Sequence, residues 1–381
     1  MVSGPLGAML LADLGADVIK VEHRSIGDRY RWVGSGNGAM TAAFSQTNRG
    51  KRSICIDLGS EDGAQLARNL AAESDVVIQN FRPGVATRLG IGPTELLDAN
   101  ANLIYVTITG FGPDGPYADQ KVYDYVIQAL TGMAALQEDA DGRPSLVKNI
   151  VIDKVTAYTV AQGVTAALFA RERGHGGQHI EISMLEVGLA FMWPDAMSDH
   201  TMLDHDVTAV PHMSTYYEVR PCADGFIAQM AISDRQFPGL CDALGTEAWL
   251  DDPRFATMDR RIANAAALGE LIELEFAKHR GDDLVAALHQ RDVPAAVIRP
   301  LADIHLDPQV RHNGTLVERQ LPTVGLVREP RSAVRFETTA TTLGRQAPKL
   351  GEHTEEILAE FGSSTEEIDV LIEAGTVGPS R

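Results

Sequence analysis

Asp153 ends the apolar run N-I-V-I-D and opens a long stretch of helical spacing, K-V-T-A-Y-T-V-A-Q-G-V-T-A-A-L-F-A-R-E-R. An aspartate in that place has two uses. As a helix N-cap its carboxylate accepts orphan backbone N–H groups. With such donors nearby it also stays ionised at neutral pH, as a carboxylate nucleophile must. The residues alone leave both uses open. Between residues 20 and 52 seven basic side chains (Lys20, Arg24, Arg29, Arg31, Arg49, Lys51, Arg52) stand against two acids, Glu22 and Asp28. That stretch is either a solvated face or a phosphate-binding surface, because guanidinium forks and ammonium groups match phosphate oxygens, and Arg82 and Arg88 extend it. Asp199, His200, Asp204 and His205 have ligand-type spacing, yet they sit in a polar stretch without ordered support, so no metal is expected there. The chain contains no G-x-S-x-G elbow, P-loop or H-E-x-x-H, which removes the anchors of serine hydrolase, nucleotide triphosphatase and zincin readings, and the opening G-P-L-G-A-M lacks both the G-x-G-x-x-G spacing and a preceding strand, which leaves a dinucleotide reading weak.

The elements that position these residues alternate. L-G-A-M-L-L-A-D-L-G (6–15) reads as a helix and D-V-I-K-V-E as a strand. A helix at 63–72 then precedes D-V-V-I-Q-N-F, and one at 93–100 precedes N-L-I-Y-V-T-I-T-G-F-G. Strands alternating with helices predict a parallel α/β sheet covered on both faces. Such sheets bind ligands at the carboxyl ends of their strands, here Glu22-His23-Arg24, Asn80-Phe81-Arg82 and Gly110-Phe111-Gly112. H-I-E-I-S-M-L alternates like a further strand. Residues 193–215 lack a period and read as a linker. A smaller domain of mixed strands and helices follows to about 305, and the tail from Gly351 is helical. The chain opens on the turn that normally follows a first strand, so that strand is expected to be missing or supplied otherwise.

With 381 residues, two domains are expected. The composition, 44% hydrophobic and 22% charged, is that of a globular enzyme without a membrane-spanning run, and the net charge of −19 argues against nucleic acid and anionic lipid as partners. Three scattered cysteines form neither a disulfide framework nor a thiolate metal site, which suits a reducing, cytoplasmic compartment.

Five strings in order, GADVIKVE, NRGKRSICIDL, NFRPGVATRLGIG, GFGPDGPYAD and GEHTEEILAEFG, resemble the serial signatures of the class III CoA-transferases. This is the family of formyl-CoA transferase and carnitine CoA-transferase, with the α-methylacyl-CoA racemases as a sister branch. The resemblance implies a Rossmann-like large domain over residues 1–195, a linker and small α+β domain over 196–315, and a tail, 316–381, that returns to the large domain. It implies an interlocked two-fold homodimer. It makes Asp153 the nucleophile, with Tyr123 and Asp124 beside the acyl group. It assigns coenzyme A to His23, Arg24, Asn80, Phe81, Arg88, Leu89, Lys121 and Met184.

The reaction so implied passes CoA from an acyl-CoA to an acceptor carboxylic acid through an aspartyl anhydride and an aspartyl-CoA thioester. CoA is then a substrate, and no other cofactor is expected. Two alternatives accompany it. An acyl-CoA racemase uses the equivalent aspartate with a histidine, whereas Tyr123 stands at the matching position here, and a phenol of pKa ~10 is a poor base at neutral pH. A CoA-binding protein without turnover is the other. Val2 stands where formyl-CoA transferase has a glutamine, and Y-Y-E-V-R-P-C-A-D-G-F-I-A-Q lacks that enzyme's glycine run, so formyl or oxalyl specificity is not expected. Met184, Phe191, Met192 and Trp193 suggest a bulkier acyl chain.

Overall fold

In the I-Y-V-T-I-T run Ile104, Tyr105 and Val106 are buried in succession, and Ile108 and Thr109 with them, as a parallel strand covered on both faces requires. A computed structural model describes residues 1–38, 40–139, 141–204, 217–231, 233–339, 341 and 343–378. The chain divides into two units, residues 1–194 with 314–381, and residues 195–313.

The first unit begins with α1 (Ser3–Asp13), β1 (Val18–Glu22), a 3-10 turn (Arg29–Arg31), α2 (Ala42–Asn48) and β2 (Lys51–Cys55). It continues through α3 (Glu61–Ala72), β3 (Val76–Gln79), α4 (Val85–Arg88), α5 (Pro93–Ala99) and β4 (Ile104–Thr109). Next come α6 (Asp124–Leu130), α7 (Met133–Leu136), α8 (Val151–Ala170), β5 (Gln178–Ser183) and α9 (Met184–Ala196). This is the expected α/β class, but the parallel strands form two sheets and not one. β1 pairs with β2 in the register Val18 to Lys51. β3 pairs with β4, and β4 with β5, in the registers Val76 to Ile104 and Ile104 to Gln178. β1 and β3 do not pair with each other; every residue of both lines one cavity of about 720 Å³.

Ile104, Val106, Ile108 and Ile182 of the sheet pack against Val160, Val164 and Ala167 of α8. Each of these isoleucine and valine side chains taken from water contributes roughly 1.5–3 kcal/mol. α8 also packs on α1, and there Gly7 is required: a Cβ on it would lie 2.9 Å from Val160 Cγ1 and 3.2 Å from the Ala157 carbonyl. The chain's end returns to this unit through a hairpin, β9 (Leu316–Leu321) with β10 (Gly325–Pro330), then α16 (Thr354–Glu360) and α17 (Thr365–Glu373). Ile357, Leu358 and Ile368 complete a core with Ile54, Ile56 and Leu70.

The second unit holds α10 (Ser198–Thr201), the antiparallel sheet β6 (Glu218–Cys222), β7 (Gly225–Gln229) and β8 (Ala295–Val297), and helices α11 (Phe237–Leu244), α12 (Met258–Ala263), α13 (Ala265–Phe276), α14 (Gly281–His289) and α15 (Pro308–Asn313). Its core is Ile227, Phe237, Leu240, Phe255, Ile272, Phe276 and Leu288. The linker expectation for 193–215 is corrected in part. α9 continues through Pro194 to Ala196, and α10 follows at once. The exposed polar residues of α10 bury no stripe, so they show no helical period. Residues 205–216 lie outside the described residues, His205 among them. Among the described residues no three metal-ligating side chains come together, and no helix is long and apolar enough to cross a membrane.

Most of the basic stretch is spent inside the fold, which corrects the phosphate-surface reading for five of its seven members. Arg49 forks onto Asp13 at 3.0 and 2.6 Å, both groups buried. Lys51 is fully buried and donates to the Pro5 and Thr47 carbonyls at 2.7 and 3.0 Å and to Asn48 Oδ1 at 2.8 Å. Arg52 binds Asp17, Glu356 and Glu360. Lys20 pairs with Asp28 at 2.9 Å. Arg31 forks onto Glu22 at 2.9 and 2.6 Å with its guanidinium over the Phe44 ring.

Glu22 also accepts from Ser53 Oγ at 2.7 Å and from the Asp28 N–H at 3.0 Å. Burial pushes its carboxyl up, but the Arg31 fork, with Lys20 and Ser53, outweighs burial and holds it below the ordinary value. Its stability contribution is therefore complete above the unfolded carboxylate range and is lost as pH falls through the lower folded value. Glu22→Gln is expected to cost about 3 kcal/mol at pH 7, since it strands the buried Arg31. Urea unfolding should show this difference, shrinking as pH drops. A constant difference down to pH 3 contradicts the assignment.

Candidate active site

Two helix N-termini meet at Asp153. Neither has a side-chain cap of its own, for the capping positions are Val2 for α1 and Ile150 for α8. Asp153 is the third residue of α8 and not its cap, which corrects that reading of the sequence. Its Oδ1 instead accepts the orphan N–H of Ser3, the first residue of α1, at 3.2 Å, and the Ser3 hydroxyl as well. The orphan N–H of Asp153 in turn donates to Asp124 Oδ2 at 2.9 Å. Each helix start is thus capped by a carboxylate from another helix.

Asp153 Oδ2 takes no hydrogen bond from a described residue, and Asp153 lines a cavity of about 980 Å³. Burial pushes its carboxyl above the ordinary aspartate value, only partly offset by the Ser3 hydroxyl, while the charge of Asp124 pushes the same way. Sequence reasoning pointed to a carboxylate held ionised by donors; the donors are present, and desolvation outweighs them. A carboxylate so placed is a stronger nucleophile when ionised.

The structure brings Asn80, Phe81, Lys121, Tyr123, Asp124, Asp153 and Met184 to this one cavity. Asn80 and Phe81, with His23 and Leu89, also line the cavity between β1 and β3. Arg24 and Arg88 line neither; Arg24 Nη1 donates to the Gly375 carbonyl at 2.5 Å. Tyr123, half exposed, stacks on Tyr125 with ring centroids 6.2 Å apart. Asp124 is buried, and both its oxygens are engaged, Oδ1 by Gln128 and Oδ2 by the Asp153 N–H.

Sequence reasoning missed Ser3, Tyr30, Gln128 and Lys148. Only Ser3 carried a signal, its place just before Gly4-Pro5 at a helix start. Burial, and after it the charges of Asp153, Asp28 and Asp124, push the Tyr30 phenol up, so it remains a protonated donor at neutral pH. Arg29, Arg82, Lys121 and Lys148 line the cavity, and none forms an ion pair with a described residue. Four unspent cations beside two carboxylates, in a chain of net charge −19, mark a site for an anionic ligand.

The model of CoA-transferase family III matches residues 1–354. The succinate–glutarate CoA-transferase of Agrobacterium fabrum is 36% identical over 95% of this chain and 92% of its own length. The acetyl-CoA:oxalate CoA-transferase of Acetobacter aceti is 31% identical over 95% and 93%. The crystal structure of a CAIB/BAIF family protein from Brucella suis superposes with a TM-score of 0.83 at 34% identity, covering 94% of this chain and 96% of that one. Sequence, fold and an anion-seeking cavity around a buried carboxylate agree: the chain belongs to CoA-transferase family III, enzymes that move coenzyme A between an acyl-CoA and a carboxylic acid.

Proposed function

We propose that Asp153 carries this transfer covalently. The observation that supports it is the division of labour within one carboxylate that lines the cavity, Oδ1 held by Ser3 and Oδ2 taking no hydrogen bond from a described residue. Oδ2 attacks the thioester carbonyl, the C–S bond breaks, and a mixed anhydride and CoA thiolate result. The thiolate attacks the aspartyl carbonyl and releases the donor acid, leaving an aspartyl-CoA thioester. The acceptor carboxylate attacks that thioester, giving a second anhydride and the thiolate again. Thiolate attack on the acyl carbonyl of this anhydride forms the new acyl-CoA and frees Asp153. No proton is consumed, and the cycle closes without a metal or redox cofactor. The Ser3 N–H and the Tyr30 phenol are donors suited to the oxyanions.

CoA is assigned to Asn80, Phe81, Lys121 and Met184, with His23 and Leu89 toward the second cavity. Arg24 and Arg88 join only if they turn from their present places. The cations Arg29 and Lys148 suit a substrate with a second carboxylate, as the names of the Agrobacterium enzyme's substrates suggest. The racemase reading wants a histidine beside Asp153, and no described histidine lines that cavity. We further infer a homodimer, supported by exposed Trp32, Tyr158, Phe169 and Phe191. A cytoplasmic location is supported by the sparse, widely spaced cysteines, which form no C-x-x-C pair.

The test is intact-protein mass spectrometry after incubation with a panel of acyl-CoAs led by succinyl-CoA, hydroxylamine trapping, and peptide mapping against Asp153→Ala. A hydroxamate on Asp153, absent from the variant, is the expected result. No adduct together with solvent deuterium at the substrate α-carbon replaces transfer by racemisation.

A further inference from the structure

Gln128 lies one turn after Asp124 on α6, and it is only 2% exposed. A buried amide is tolerated when its donors and acceptor are all used, and here they are used between two parts of the site. Nε2 donates to Asp124 Oδ1 at 2.6 Å and to the Asn149 carbonyl at 3.1 Å, while Oε1 accepts the Val147 N–H at 2.9 Å. Val147, Lys148 and Asn149 line the cavity and run directly into α8. Gln128 therefore joins the cavity segment before the nucleophile to the carboxylate that holds the nucleophile's backbone.

We infer that Gln128 is a positioning residue for CoA transfer: it orients Asp124 so that Asp124 Oδ2 holds the Asp153 N–H, and it ties segment 146–150 to the same bracket. This rests on the reading of Asp153 as nucleophile. The aspartyl carbonyl is attacked in turn by thiolate and carboxylate, so its backbone must keep one position while its charge changes. Asp124 cannot supply that alone. Its Oδ1 has no other described donor, and without Gln128 its carboxylate is free to rotate away from α8. A leucine at 128 fills similar space and has no polar group. A glutamate keeps the acceptor for the Val147 N–H but turns a second carboxylate toward Asp124.

The test is a double-mutant cycle of Gln128→Leu and Asp124→Asn, with rates per active site counted from the Asp153 adduct. Gln128→Leu is expected to lower kcat about 10²-fold with KM for acyl-CoA nearly unchanged, as small misplacements of reacting groups do. Added to Asp124→Asn, it should cost almost nothing further, because both act through one hydrogen-bonded pair. Gln128→Glu, which retains the Val147 contact, should lose at least as much as Gln128→Leu and keeps the test open if the leucine variant folds poorly. Losses that multiply in the double variant, or a kcat per active site equal to that of the parent, overturn the role and leave Gln128 as core. Absence of any Asp153 adduct in the parent protein instead refutes the nucleophile reading on which the role rests.

Discussion

Asp153→Asn is expected to lower turnover at least about 10⁴-fold while leaving the fold intact or slightly more stable. The loss follows from removing the proposed nucleophile of a covalent cycle, since an amide oxygen is far weaker and the remaining donors have no anhydride to act on. The fold survives because asparagine keeps an oxygen where Oδ1 accepts from Ser3, so α1 stays capped. The sign of the stability change comes from the raised carboxyl. A group more basic in the folded than in the unfolded chain takes stability away as pH rises through the interval between the two values. At pH 7 the ionised Asp153 is therefore a net cost, which the neutral amide removes. On the proposed mechanism the same shift governs the parent's activity: only the carboxylate attacks, so the acid limb of kcat/KM should lie above the ~3.9 of an unperturbed aspartate. Transfer rates, a pH profile and thermal melts of the two proteins decide the matter. A variant within tenfold of the parent, or an acid limb at or below the ordinary value, contradicts the assignment.

Gly7→Leu is expected to be the most damaging substitution outside the cavity, costing about 3 kcal/mol or more of stability and about 10²-fold in turnover of the protein that still folds. A Cβ alone meets Val160 Cγ1 at 2.9 Å, and the Ala157 carbonyl beside it belongs to the α8 backbone. Three further carbons cannot be placed without moving α1 from α8, and overpacking of that kind costs about 1–3 kcal/mol or more. Moving α1 also withdraws Ser3, which reaches Asp153 from its first turn. Small displacements of that order are worth about 10²-fold in rate. Pairing Gly7→Ala with Val160→Ala should restore most of both quantities by returning the space. Urea unfolding and kcat per active site report the two effects separately. Loss of stability without loss of kcat per active site detaches α1 from the chemistry.

The motifs that carried family membership were legible because they lie in short strings whose order survives along the chain. The periodic elements were legible for a related reason. I-Y-V-T-I-T and V-T-A-A-L-F-A declare strand and helix through local sterics and burial, within one or two turns. The start of α1 was read late, at residue 6 in place of Ser3, because Ser3 is buried for the sake of a partner 150 residues away. β6 and β8 were missed because short strands that alternate weakly resemble loop. The division of the parallel strands into two sheets was not foreseen either, since pairing is a choice between edges and leaves no mark on a single strand.

By itself the sequence determined the α/β class and the family, and it singled out Asp153 as the candidate nucleophile. Tertiary structure decided what that aspartate touches. Capping statistics place an aspartate at its own helix's start, yet Asp153 caps α1 and its own N–H is met by Asp124. The basic stretch shows the same rule. Lys20, Arg31, Arg49, Lys51 and Arg52 find carboxylates and carbonyls inside the fold, while Arg29 and the distant Lys121 and Lys148 are left to the cavity. Charge is a property of a residue, but whether that charge is spent depends on which groups packing brings within about 3 Å. Here a glycine at the α1–α8 contact sets that distance for Ser3 and Asp153.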